Sequence, residues 1–91
     1  MPRVRLTWPY GCRHIAMIAG SWSSWQPQVL FPLKMGMDEL WSTEIQLPDN
    51  VEPTVYRYKF IVDGDWVYDA AQPTICNAYD SFDNYIQVSS S

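Results

Sequence analysis

Hydrophobic and polar residues along this chain alternate in short bursts separated by turn formers. At residues 4–8, Val-Arg-Leu-Thr-Trp alternates and predicts a strand, which Pro9-Tyr10-Gly11 interrupts. Ile15-Ala16-Met17-Ile18-Ala19 is apolar on both faces, the pattern of a central sandwich strand. Residues 20–27, Gly-Ser-Trp-Ser-Ser-Trp-Gln-Pro, read as a loop. Residues 29–33 predict a short strand that Pro32 confines to a sheet edge, because proline has no N–H for an inner ladder. Gly36 reads as a turn. Trp41, Thr43, Ile45 and Leu47 then alternate with Ser42, Glu44 and Gln46, which predicts a half-buried strand with one wet face, ended by Pro48-Asp49-Asn50.

The clearest strand covers residues 55–62. Tyr56, Tyr58, Phe60 and Val62 form one face, and Val55, Arg57, Lys59 and Ile61 the other. Asp63-Gly64 is a two-residue hairpin signal, since both residue types tolerate positive φ. Residues 65–68 return as the partner strand. The register pairs Val62 with Asp65, Ile61 with Trp66, Phe60 with Val67 and Lys59 with Tyr68. Paired residues share a sheet face. Phe60 and Val67 are therefore core, while Trp66, Ile61 and Lys59 lie on the outer face. Residues 69–83 read as a long polar loop holding Pro73, and 84–88 as the last strand. No stretch of ten or more residues carries a clean helical period. Seven or so short strands predict an all-β, immunoglobulin-like antiparallel β-sandwich.

Composition narrows the function. Ninety-one residues bury one core, and 47% hydrophobic with 18% charged residues argues against disorder. The net charge of -4 disfavours nucleic acid and anionic membrane surfaces, which call for basic patches. No apolar run approaches the roughly 20 residues that span a bilayer, and no signal peptide is visible. Cys12, Cys76 and the single histidine, His14, do not make a zinc set, so no metal or other cofactor is expected. The cysteines read as free thiols, with a disulfide between them as the alternative. Asp63, Asp65, Asp69, Asp80 and Asp83 invite a hydrolase reading, but a glycosidase needs two carboxyls flanking a sugar in a cleft, and a flat sandwich face offers none. Residues 80–84 lack the calcium-loop pattern, and no Gly-rich phosphate loop is present. The expectation is a non-enzyme.

An outward Trp66 calls for a ligand, because exposed aromatic area marks binding sites. A sugar ring lays its C–H face on an indole and needs donors and acceptors at the rim. Lys59, Ser81, Asp83 and Asn84 supply these. Trp25, among serines, Gln26 and Pro27, also reads as exposed, whereas Trp8 and Trp41 read as core.

Three stretches carry a family resemblance: Gly20-Ser21-Trp22-Ser23-Ser24-Trp25, Tyr58-Lys59-Phe60-Ile61-Val62-Asp63-Gly64-Asp65-Trp66, and Asp83-Asn84-Tyr85-Ile86-Gln87-Val88. Their order and spacing resemble the glycogen-binding module of AMP-activated protein kinase β subunits, carbohydrate-binding module family forty-eight. Trp8-Pro9-Tyr10-Gly11 resembles the opening of plant relatives. The resemblance implies that Trp25, Trp66 and Lys59 hold the glucan, helped by the loop before the last strand, and that Trp22, at an aromatic position of the motif, packs inward as core. There Tyr79, Ser81 and Asp83-Asn84 stand where the family shows a Leu, a Thr and an Asn pair. Asn84 keeps its place, while Asp83 replaces an amide and can only accept while ionised.

The implied protein is a non-catalytic module over residues 1–88, with 89–91 as tail or linker. It binds α-1,4-linked glucan (glycogen, starch, malto-oligosaccharides) as part of a larger protein or kinase complex, in the cytoplasm or a plastid. The alternative is a protein-interaction or structural domain of the same fold that has lost sugar binding, within a kinase subunit or a glucan-branching or debranching enzyme. Retention of Trp25, Lys59 and Trp66 together favours the first reading.

Overall fold

The computed structural model describes residues 3–35, 38–48 and 52–88. Gly36, Asp49, Asn50 and the 89–91 tail lie outside the described residues. Among the described residues nine strands follow in order: β1 Arg3–Trp8, β2 Ala16–Gly20, β3 Gln28–Val29, β4 Phe31–Met35, β5 Asp38–Gln46, β6 Thr54–Val62, β7 Asp65–Val67, β8 Thr74–Cys76 and β9 Phe82–Val88. Among the described residues the helical content is a single 3-10 turn, Ser21–Ser23. All pairings are antiparallel. One sheet has the order β1-β5-β4. The other has the order β3-β2-β6-β9-β8, with β7 on β6. The all-β sandwich that alternation predicts is the fold observed.

The core lies between the two sheets. Leu6, Trp8, Ile45 and Leu47 come from the smaller sheet and its continuation, and Ala16, Ile18, Tyr56, Tyr58 and Phe60 from the larger. Trp8 and Phe60 meet across the layers with ring centres 5.0 Å apart. Trp41 packs against this cluster from a partly buried position.

The strand expected at 29–33 is in fact two. At Leu30 the chain leaves β3 in the larger sheet and enters β4 in the smaller. Leu30 is fully buried at that crossing, and its N–H donates to Ala16 O at 2.9 Å. A buried leucine at a sheet-switching corner reads in sequence like one more strand residue. Pro32 does lie in an edge strand, β4, as its missing N–H demands.

The β6–β7 hairpin has the predicted register, Val62↔Asp65, Ile61↔Trp66 and Phe60↔Val67, around Asp63 (φ 50) and Gly64 (φ 89). The ladder ends there, so the expected Lys59–Tyr68 pair does not form. Instead β9 takes the same side of β6 along its first half, from Thr54↔Val88 to Tyr58↔Asn84. Tyr68, leaving β7, meets Phe82, entering β9, at 5.7 Å between rings. Ile61 lies on the outer face but is buried, flanked by Met17 on β2 and Trp66 on β7. The "long polar loop" at 69–83 contains β8, and its first residue, Asp69, is buried.

Candidate carbohydrate-binding face

The outer face of the larger sheet carries the candidate site. Its geometry starts at Gly20, the last residue of β2. The Trp22 ring lies over the Gly20 Cα, where any Cβ would collide with it, and packs on Tyr58 at 6.0 Å. The 3-10 turn that contains Trp22 is tied to β6 by Arg57 N–H donating to Ser21 Oγ at 3.1 Å. With Trp22 fixed inward, the chain reverses through two consecutive left-handed residues, Ser24 (φ 54) and Trp25 (φ 63). Such positions cost on the order of 1–3 kcal/mol each for residues with a Cβ. They are held by Trp25 N–H to Gly20 O at 2.9 Å and Gln26 N–H to Ser23 O at 3.2 Å. The result is one tryptophan in and one out: Trp22 packs on the core, and Trp25 is 37% exposed.

Trp66 reaches the same face from β7 and is 51% exposed. Lys59, on β6 between the two indoles in sequence, is half-buried. Its Nζ donates to Ser81 Oγ at 3.2 Å and lies 3.9 Å from Asp83 Oδ1. Tyr79 stands 90% exposed on the loop that joins β8 to β9. Trp25, Lys59, Trp66, Asn77, Tyr79 and Asp83 together line one open cleft.

Asn77 is the residue that sequence reasoning missed. Its side-chain Oδ1 accepts from Tyr79 N–H at 2.9 Å and from Ser81 N–H at 3.2 Å, and its Nδ2 donates to Asp83 Oδ1 at 3.0 Å. Its own N–H donates to Ser81 O at 2.8 Å. One amide thus shapes the whole 77–83 turn, including left-handed Asp80 (φ 59). The signal was present as an Asn two residues before Tyr79, the spacing at which an Asn side chain caps its own backbone. It was hidden inside what read as an undifferentiated loop.

Asn84 does not join the cleft. It lies on the inner side of β9, fully buried, with its amide bound to Asp69 N–H and to the carbonyls of Asp69 and Pro73. The reason is the strand alternation itself. Asp83 faces outward and is followed by a residue facing inward, so only one of the two can meet a ligand. Ser81 reaches the site through Lys59, whose ammonium it accepts.

The cleft has the parts a neutral sugar requires: two indole surfaces, a phenol, one ammonium, one carboxylate and one amide. Asp83 is the single carboxylate among the described residues that line it. Cys76 is exposed and donates its thiol to Asn77 O at 3.6 Å. Among the described residues no helix is long and apolar enough to cross a membrane.

Comparison with known proteins points the same way. The family model for the glycogen recognition site of AMP-activated protein kinase matches residues 2–91. SNF1 protein kinase subunit beta-3 of Saccharomyces cerevisiae is 29% identical over 86 residues, which cover 94% of this chain and 19% of that protein. The 5'-AMP-activated protein kinase subunit beta-2 of Homo sapiens is 28% identical over 86 residues, covering 94% of this chain and 29% of that protein. The chain therefore spans less than a third of the length of these curated relatives.

Proposed function

The chain belongs to the glycogen-recognition family of AMP-activated protein kinase, and from that membership we propose that its cleft holds α-1,4-linked glucan between Trp25 and Trp66. In this reading the indoles stack on sugar rings, Tyr79 adds a third aromatic surface, and Asp83 and Lys59 meet the hydroxyls. Ser81 and Asn77 hold those two in place. The module itself is a non-catalytic carbohydrate-binding domain. A lone carboxylate at the cleft fits that role, since glycoside hydrolysis canonically uses two carboxyls about 5–10 Å apart across the scissile bond.

The observation that carries the proposal is the convergence of Trp25, Lys59, Trp66 and Tyr79 on one open cleft from four separate segments of the chain. Exposed aromatics gathered on one face, with polar groups between them, mark a ligand surface. The relatives' names make them kinase subunits. The domain would accordingly tether a kinase subunit to glycogen or starch as one sandwich over residues 1–88. That role carries an intracellular, cytoplasmic setting with it and gives a plastid no support.

The test is titration calorimetry with maltoheptaose and with cello-oligosaccharide, beside a glycogen pull-down. Maltoheptaose should bind in the roughly micromolar to millimolar range, as for a small open site, and the β-linked oligosaccharide much more weakly. Equal affinity for the two, or failure to sediment with glycogen, sinks the proposal.

A further inference from the structure

The cleft holds one ammonium and one carboxylate, and they are paired with each other. Lys59 Nζ lies 3.9 Å from Asp83 Oδ1, the same oxygen that accepts from Asn77 Nδ2 at 3.0 Å. Both side chains are largely withdrawn from water, 17% and 7% exposed. Charges in such a position are screened by salt less than surface charges. The Lys59 and Asn77 contacts to Asp83 both fall on Oδ1, and the residue lines the cleft beside Lys59.

We propose that Asp83 makes this site selective for uncharged glucan and closes it to glucan carrying phosphate or carboxylate groups. The inference rests on the glucan reading above and deepens it. A phosphate is recognised by cations with charge to spare, above all by guanidinium forks or lysines that no carboxylate has already matched. Lys59 is the one cation among the described residues that line the cleft, and Asp83 already matches it. An incoming anion finds no uncompensated positive charge there and meets a fixed carboxylate instead.

The flanks act in the same direction. Asp65, beside Trp66, and Asp80, beside Tyr79, are exposed, and the chain carries a net charge of -4. A neutral sugar meets none of this opposition. Its hydroxyl can donate to the Asp83 carboxylate in a charge-assisted bond. With an amide in place of Asp83, Lys59 would keep its charge unmatched. The position thus decides which glucans enter.

The experiment is calorimetric titration of the whole chain with maltoheptaose and with maltoheptaose bearing a single 6-phosphate ester. The parent should bind the phosphorylated oligosaccharide at least about tenfold more weakly than the neutral one, about 1.4 kcal/mol. That gap should shrink between about 0.01 M and about 1 M salt, as the screening length falls from about 30 Å to about 3 Å. In Asp83→Asn the gap should close to within about threefold, because the shape is kept while the negative charge is lost and Lys59 is released. Equal binding of both ligands by the parent overturns the inference. So does a gap that persists in Asp83→Asn, which would be steric if salt leaves it unchanged and would belong to the flanking carboxylates if salt narrows it. Should Asp83→Asn not fold, Asp83→Ser is the second variant, and it should narrow the gap in the same way; a gap unchanged in it overturns the inference. Failure of the parent to bind neutral maltoheptaose overturns the glucan reading itself, and this inference with it.

Discussion

The side-chain amide of Asn84 exchanges two hydrogen bonds with the main chain of Asp69. Asp69 N–H donates to Asn84 Oδ1 at 2.7 Å, and Asn84 Nδ2 donates to Asp69 O at 2.8 Å and to Pro73 O at 3.2 Å. The amide stands in for a strand partner where β7 has ended and β8 has not begun. It ties the 69–73 segment to β9 behind the cleft, and the Asp69 carboxylate it places accepts from Tyr10 Oη at 2.7 Å.

Asn84→Ala should therefore cost stability first. It strands buried partners whose desolvation costs about 1–3 kcal/mol each. A loss of at least about 2 kcal/mol would lower Tm by roughly 8 °C or more in a domain of this size. A thermal melt beside a glycogen pull-down reads both effects. Loss of glycogen binding with an unchanged Tm would return Asn84 to the sugar surface.

Trp66→Ala should do the reverse. The residue is half exposed on the outer face, so its truncation should cost roughly 1 kcal/mol of stability or less. Its loss from the cleft should cost roughly 2 kcal/mol of binding, some thirtyfold, as for an aromatic hot spot. Phe60→Ala, 1% exposed, is the counterpart and should lose roughly 3–5 kcal/mol of stability. A Trp66→Ala domain that melts like Phe60→Ala, or that binds glucan like the parent, refutes the assignment.

Gly20→Ala tests whether the inward tryptophan positions the outward one. Gly20 has an extended backbone (φ -153), so its φ makes no demand for glycine; the demand comes from the Trp22 ring over its Cα. An added methyl should displace that ring at roughly 1–3 kcal/mol and disturb the turn that presents Trp25. Both Tm and glucan affinity should fall. An unchanged affinity would show that Trp25 holds its place without Trp22.

Asp63 should carry part of the acid sensitivity. Its carboxylate accepts from the N–H groups of Arg13 (2.8 Å), His14 (2.7 Å) and Ile15 (3.1 Å). Those bonds, with a smaller contribution from the His14 charge, hold its pKa below the ordinary 3.8. A pKa lowered on folding stabilises the fold above the unfolded value, and that stabilisation is lost as pH falls through the folded value. Asp63→Asn should thus be less stable than the parent at pH 7, and the difference should narrow below about pH 4. Chemical denaturation at a series of pH values measures it; a difference that stays constant down to pH 2 contradicts the account.

Much of this was readable in the sequence because β-structure writes a period of two into the chain. Residues 55–62 and the Asp63-Gly64 turn determine the hairpin, and the hairpin alone places Phe60 inside and Trp66 outside. Trp25 likewise carries its outward direction in its small polar neighbours, whereas the inward direction of Trp22 was legible only through the family motif.

What the sequence could not decide were features that depend on where strands stop and what lies across from them. Leu30 reads as a strand residue, and only the two sheets make it a crossing. Ile61 reads as outer face, and only the bulk of Met17 and Trp66 beside it makes it buried. Asp83 and Asn84 read as one polar pair. Their opposite directions follow once β9 starts at Phe82 rather than at Asn84, which puts both residues inside a strand whose faces alternate. The Asn77–Asp83–Lys59 contacts join residues 6 and 24 positions apart, and such proximity has no local signal. Local alternation and turn chemistry act over a few residues, whereas the cleft is made by loop closures that only the packed sandwich brings about.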